Sequence, residues 1–154
     1  MGCSRLECVF CRIVRGEEES YTVYKGNGVQ VILDKYPVSK GHLLVLSEEH
    51  YEGVQEAPPE VLARVWVVAS ALARIYRVHL GAPGVNIVTN SGATAGQVIF
   101  HFHVHVIPRW SQVRGFWSGR HELDRREAEE VVDMLKPHIT LVEEYLISLG
   151  LTEP

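Results

Sequence analysis

The chain has 154 residues, 46% of them hydrophobic and 22% charged, which suffices for one packed core and is too apolar for a disordered chain. A net charge of −4 gives no broad basic footprint, which excludes duplex nucleic acid as a main partner but not a small anion held by local donors. No run is long and apolar enough to cross a bilayer. The N-terminus lacks the apolar core of a secretory signal and carries Leu6 where a myristoylation pattern wants Ser or Thr. The expectation is a soluble, cytoplasmic protein with no membrane partner.

In chain order, Cys3, Cys8 and Cys11 come first. An odd number crowded at one end is no disulfide framework. Cys8 and Cys11 have the spacing of zinc sites but supply half of a tetrahedral set, and a pair of buried thiols or a redox pair are the alternatives. Two β-rich runs follow, 20–25 and 29–33, separated by Gly26-Asn27-Gly28 as in a hairpin. Pro37 and Gly41 break the chain before a third strand at 42–46. Pro58 and Pro59 open a helix reaching about Leu80, with Val61, Leu62, Val65, Trp66, Ala69, Leu72, Ala73 and Tyr76 at helical spacing and Gly81 ending it. A fourth strand at 84–90, a loop at 91–96 and a fifth strand from about Val98 to Ile107, stopped by Pro108, come next. From Leu123 to Leu149 charges alternate with Val132, Leu135, Ile139, Val142 and Leu146, so this extension (about 122–150) reads as helical and divided by Pro137. The sum is a single α+β domain over 1–154: a five-stranded antiparallel sheet, one long helix and a C-terminal helical segment.

The most informative segment is His101-Phe102-His103-Val104-His105-Val106-Ile107. Strand side chains alternate faces, so the histidines share one face and Phe102, Val104 and Val106 the other. At about 3.3 Å per residue His101 and His105 lie roughly 13 Å apart, too far for one zinc to take all three. Trp110, Trp117 and His121 follow the strand; contact with a leaving group is one reading of them, but without a motif they read as a surface loop.

The segment resembles the signature of the histidine-triad (HIT) family, preceded by Gly96-Gln97 as in many members. Cys8-Val9-Phe10-Cys11, Leu33-Asp34, Pro37-Val38-Ser39-Lys40-Gly41-His42 and Asn90 match the family in order, so the resemblance spans about residues 8–109. It implies a nucleotide hydrolase or nucleotidyl transferase in which His103 attacks the α-phosphorus of a purine nucleotide and forms a covalent nucleotidyl-histidine. Neutral imidazole suits that task. His105 would donate to a phosphate oxygen or the leaving group, and His42 would support the triad, although a satisfied core histidine is an equal reading for it. Asp34 matches the family's ribose-binding carboxylate, against a turn-capping role before Pro37. Asn90, Gly96 and Gln97 match the phosphate path, and Phe10, Ile13 and Val9 the apolar walls around the base, positions that would otherwise pass as ordinary core.

Part of the family holds a structural zinc, and the matching positions here are Cys8, Cys11, His50 and His101, all present. The resemblance also implies a homodimer. Val98 stands where many relatives carry Ser or Thr, which removes a donor near the phosphate or leaving group. The substrates implied are nucleoside phosphoramidates or dinucleoside polyphosphates. The Pro108-Arg109 ending resembles the branches acting on dinucleoside polyphosphates. Alternatives are a phosphorylase of dinucleoside polyphosphates and a catalytically weak nucleotide-binding or partner-docking protein.

Overall fold

The computed structural model describes residues 7–154, so the readings of Met1 to Leu6, Cys3 included, lie outside the described residues. Strands β1 (Thr22–Gly26), β2 (Val29–Leu33), β3 (Leu43–Ser47), β4 (Gly84–Val88) and β5 (His103–Arg109) form one sheet in the order β1-β2-β3-β5-β4. Every neighbouring pair is antiparallel. The β1–β2 turn holds Asn27 at φ 55° and Gly28 at φ 76°, two left-handed residues in a row, which is what a tight hairpin turn demands and Asn-Gly supplies.

β2 and β3 are buried at every position because each face of the sheet is covered. On one face Val31, Leu33, Leu43 and Val45 join Val104 and Val106 against Val65, Val68 and Leu72 of helix α2 (Pro59–Arg74). On the other, Ile32, Leu44 and Leu46 pack against Phe10, Ile13 and Val14 of helix α1 (Val9–Val14). Each such side chain contributes about 1.5–3 kcal/mol on leaving water. The α2 pattern continues as expected toward Leu80, but its last turn, Ile75–His79, widens into a π-helix. There the buried Tyr76 donates its hydroxyl to the Gly41 carbonyl. Gly41 sits at φ 97°, and a Cβ on it would fall 2.8 Å from the Tyr76 oxygen, so no other residue fits that approach.

Asp124 caps helix α3 (Arg125–Leu135), accepting from the Glu127 N–H at 2.8 Å. A 3-10 turn containing Pro137 separates α3 from helix α4 (Thr140–Ser148), which packs on α2 through Val142 and Leu146. The expected division of the C-terminal segment is therefore present.

The fifth strand differs from expectation. It begins at His103, not Val98, and runs through Pro108 to Arg109. Val98 and Phe100 are exposed, and the Phe102 N–H bonds to the Tyr51 carbonyl at 2.7 Å, so this stretch is held outside the ladder. Pro108 is tolerated because the last β3 pair is Leu43 with Val106, and beyond it β5 pairs only with β4.

Candidate active site

His103 and His105 point to one face of β5, opposite Leu46 and Leu44 of β3, while His101 lies just before the strand and is fully buried. The partners of each ring assign its tautomer. The Nδ1–H of His103 donates to the His101 carbonyl at 2.6 Å, which leaves Nε2 with the lone pair. Burial lowers the His103 pKa, the carbonyl bond opposing it, so the ring is neutral at neutral pH. Phe10 meets it edge-on at 5.0 Å.

The Val38 N–H donates to His42 Nδ1 at 3.1 Å. The proton of neutral His42 is therefore on Nε2, which lies 2.9 Å from His105 Nδ1. His105 accepts there and keeps its own proton on Nε2 as a donor. Burial pushes both rings down to about 3, so the chain Val38–His42–His105 is a fixed series of neutral donors and acceptors. The same assignment removes Asp34, His42 and His105 as an ion site, although their ligand atoms are close: His42 has a lone pair only on Nδ1, which is already taken.

Asp34 is buried and takes the turn-capping role with one of its two oxygens. Its Oδ1 accepts the Tyr36 N–H at 2.8 Å, as a turn cap, and its Oδ2 lies 3.4 Å from His42 Nε2 and 3.5 Å from Arg120 Nη2. A cavity of about 730 Å³ opens over these groups, lined by Phe10, Asp34, Asn90, Gly96, Gln97, His103 and His105. Ile13 is buried behind Phe10 and Val9 is partly buried beside it; neither lines the cavity. The Gln97 carboxamide is engaged in the loop, accepting from Gly92 N–H at 2.8 Å and donating to the Glu52 and Ile99 carbonyls. Gly96, at φ 95°, adopts a backbone that side-chain-bearing residues avoid, and Asn90 Nδ2 reaches its carbonyl at 3.5 Å. Val98 lines the cavity and is 86% exposed, so it supplies no donor there.

The opposite wall is made by Tyr36, Trp117, Arg120, His121 and Glu122; the sequence reading named Trp117 and His121 as an alternative to a surface loop and missed Tyr36, Arg120 and Glu122. Trp117 and His121 are not a remote surface loop. Trp117 sits edge-on to His105 at 5.1 Å, Arg120 covers Trp117 at 5.3 Å, and Arg109 lies over Phe116 while donating to its carbonyl at 2.8 Å. Residues 109–122 thus form a strap pinned at Arg109. Its interleaved aromatic and Arg residues were the available signal. Trp110 leaves the site, its Nε1–H bonded to the Lys40 carbonyl.

The thiol cluster lies at the other end of the histidine segment. Cys8 Sγ is 3.4 Å from His101 Nδ1, and Cys11 Sγ is 3.4 Å from His50 Nδ1 and 3.7 Å from His101 Nδ1. Sulfur–nitrogen edges of about 3.5 Å are those of a tetrahedron around zinc. The His101 Nε2–H donates to the Ser47 carbonyl at 2.6 Å, directing its Nδ1 lone pair at the sulfurs. The four residues therefore fit the ion. Zinc would take both cysteines as thiolates.

The chain matches the HIT domain over residues 15–112. It is 40% identical to an uncharacterised HIT-like protein of Saccharolobus solfataricus, covering 68% of this chain and 76% of the relative. It is 36% identical to adenylylsulfatase HINT3 of Arabidopsis thaliana, over 92% and 74%. Among solved structures, a hypothetical histidine triad nucleotide-binding protein from Sulfolobus tokodaii superposes with TM-score 0.77 at 35% identity, covering 93% of this chain and 97% of that one. A Zn-bound histidine triad family protein from Mycobacterium smegmatis does so with TM-score 0.75 at 34% identity, over 90% and 97%. The fold, the ordered histidines and these likenesses agree that the chain belongs to the histidine-triad (HIT) family.

Proposed function

We propose that the protein hydrolyses purine nucleotides carrying a labile group on the α-phosphate, through a covalent nucleotidyl-His103. As a HIT-family protein it is a nucleotide hydrolase or transferase; the covalent step and the substrate class are the finer reading. The observation that carries it is the commitment of His103 Nδ1 to the His101 carbonyl, which reserves Nε2 of a cavity-lining, neutral ring for attack.

In the first step Nε2 donates its lone pair to phosphorus and the bond from phosphorus to the leaving group breaks. The leaving group departs with that electron pair and is protonated from water at the cavity mouth. In the second step a water oxygen bonds to phosphorus, the N–P pair returns to Nε2, and the proton goes to solvent. His105 Nε2–H, held by His42, donates to the phosphoryl oxygens as charge builds. Asp34 takes the ribose hydroxyls, Phe10 backed by Ile13 and Val9 walls the base, and the loop of Asn90, Gly96 and Gln97 borders the phosphate. Zinc on Cys8, Cys11, His50 and His101 would tie α1 to the histidine segment and supply stability, not chemistry. Homodimerisation and a cytoplasmic site of action complete the reading.

Candidate substrates are nucleoside phosphoramidates, dinucleoside polyphosphates and, from the name of the Arabidopsis relative, adenylyl sulfate. The test is intact mass after brief incubation with each, beside His103→Ala. A trapped increase of one AMP with AMP release in the wild type, and neither in the variant, is expected. AMP as product marks hydrolysis, and ADP on adding phosphate marks phosphorolysis. AMP binding without adduct or product from any substrate would replace the enzyme with a binding protein.

A further inference from the structure

The charges lining the cavity are unequal. Asp34 and Glu122 bring carboxylates, and among the described residues that line it Arg120 carries the one guanidinium or ammonium group. Of the imidazoles there, His121 is bonded to Glu127 Oε1 at 2.9 Å, and His103 and His105 have their Nδ1 atoms committed to the His101 carbonyl and to His42. A substrate bearing an α-phosphate therefore meets a single permanent cation. That cation is held over the site by a built arrangement: Nη1 donates to the Tyr36 carbonyl at 2.7 Å, Nη2 lies 3.5 Å from Asp34 Oδ2, and the guanidinium covers Trp117, whose ring abuts His105.

We infer that Arg120 is the specificity-determining residue of this site, selecting nucleotides whose leaving group on the α-phosphorus is itself an anion, a phosphate or sulfate, over those with an amine. The inference rests on the nucleotidyl-transfer reading above and names its substrate class. Ribose hydroxyls binding Asp34 Oδ2 compete with Arg120 for the same oxygen. A guanidinium displaced from Asp34 retains its anchor at Tyr36 and its stacking on Trp117, and its other N–H edge is available to the leaving group beside His105. A planar, always-charged fork suits a tetrahedral oxyanion and gives an amine nothing to bind. The bond changes are those already written; Arg120 stabilises the negative charge that the departing phosphate or sulfate accumulates.

The experiment compares kcat/KM for adenylyl sulfate or diadenosine polyphosphate with that for an adenosine phosphoramidate, in the wild type, Arg120→Ala and Arg120→Lys. The expected result for Arg120→Ala is a loss of about 10²-fold on the anionic leaving groups, the scale of removing one charge-stabilising donor. The ratio of the two substrate types should fall at least about tenfold, and Arg120→Lys should recover part of it. Equal losses on both types, or no loss on either, overturn the inference and leave the nucleotidyl-transfer reading standing. A wild type that releases AMP from neither type overturns that reading and this inference with it. Should Arg120→Ala fail to fold, the Arg120→Lys ratio decides alone: unchanged specificity refutes a role for the guanidinium fork.

Discussion

The two ends of the histidine segment use the same side chain in opposite ways. At His101 the Nε2–H is tied to the Ser47 carbonyl and Nδ1 faces sulfur. At His103, two residues on, Nδ1 is tied to a carbonyl and Nε2 keeps its lone pair toward the cavity, as the proposed nucleophile. What differs is the backbone oxygen each ring finds, and that depends on where β5 begins. His101 precedes the strand and turns toward β3's end, whereas His103 is in the ladder. A motif of identical residues thus divides into a half that fits a metal ion and a half proposed to react, through hydrogen bonds that no residue type encodes.

Removing the metal should separate the halves most sharply. In protein prepared with zinc, chelation or Cys8→Ser should lower the melting temperature by about 10 °C or more, while activity at low temperature stays within a few-fold. Calorimetry beside AMP-release rates checks this; lost turnover with an unchanged melting point would mean that the cluster takes part in the chemistry. A smaller effect comes from the buried relay. His42 and His105 have folded-state pKa values of about 3, below the unfolded value near 6.5. The unfolded chain therefore binds more protons between these limits. Stability from this pair is complete above about pH 6.5 and declines as pH falls toward 3. Melting curves from pH 7 to 4 should show a decline that flattens in His42→Asn, and an unaltered slope would contradict the neutral relay. The smallest effect belongs to Val98→Ser, which restores a hydroxyl at the cavity edge. It should change kcat by less than about tenfold with no change in melting temperature, since the site is exposed. A larger gain would make the missing hydroxyl a main brake on turnover.

The elements set by local chemistry were readable from the residues: the Asn27-Gly28 hairpin and the break at Pro137 both lie where turn and helix preferences put them. The start of β5 was not, because Val98 to His105 keeps an alternating pattern whether or not the chain is in a ladder, and the pull of Tyr51 on Phe102 is a tertiary contact. The site divides in the same manner. His103, His105, Asp34 and the Cys8–Cys11 cluster stand on motif positions. Trp117 and Arg120 reach the cavity only because Arg109 pins the strap and Asp34 attracts the guanidinium, contacts between residues far apart in the chain.

The hydrogen bond from Tyr76 to Gly41 has a consequence for engineering. Tyr76 belongs to the helix on the back of the sheet, yet its hydroxyl grips the peptide next to His42, whose ring sets the proton arrangement of His105. The groups proposed to act on the front are thereby coupled mechanically to a residue with no view of the cavity. Substitutions along the rear helix that shift Tyr76 by a fraction of an ångström will register as changes in rate, and a screen confined to cavity-lining positions would overlook them.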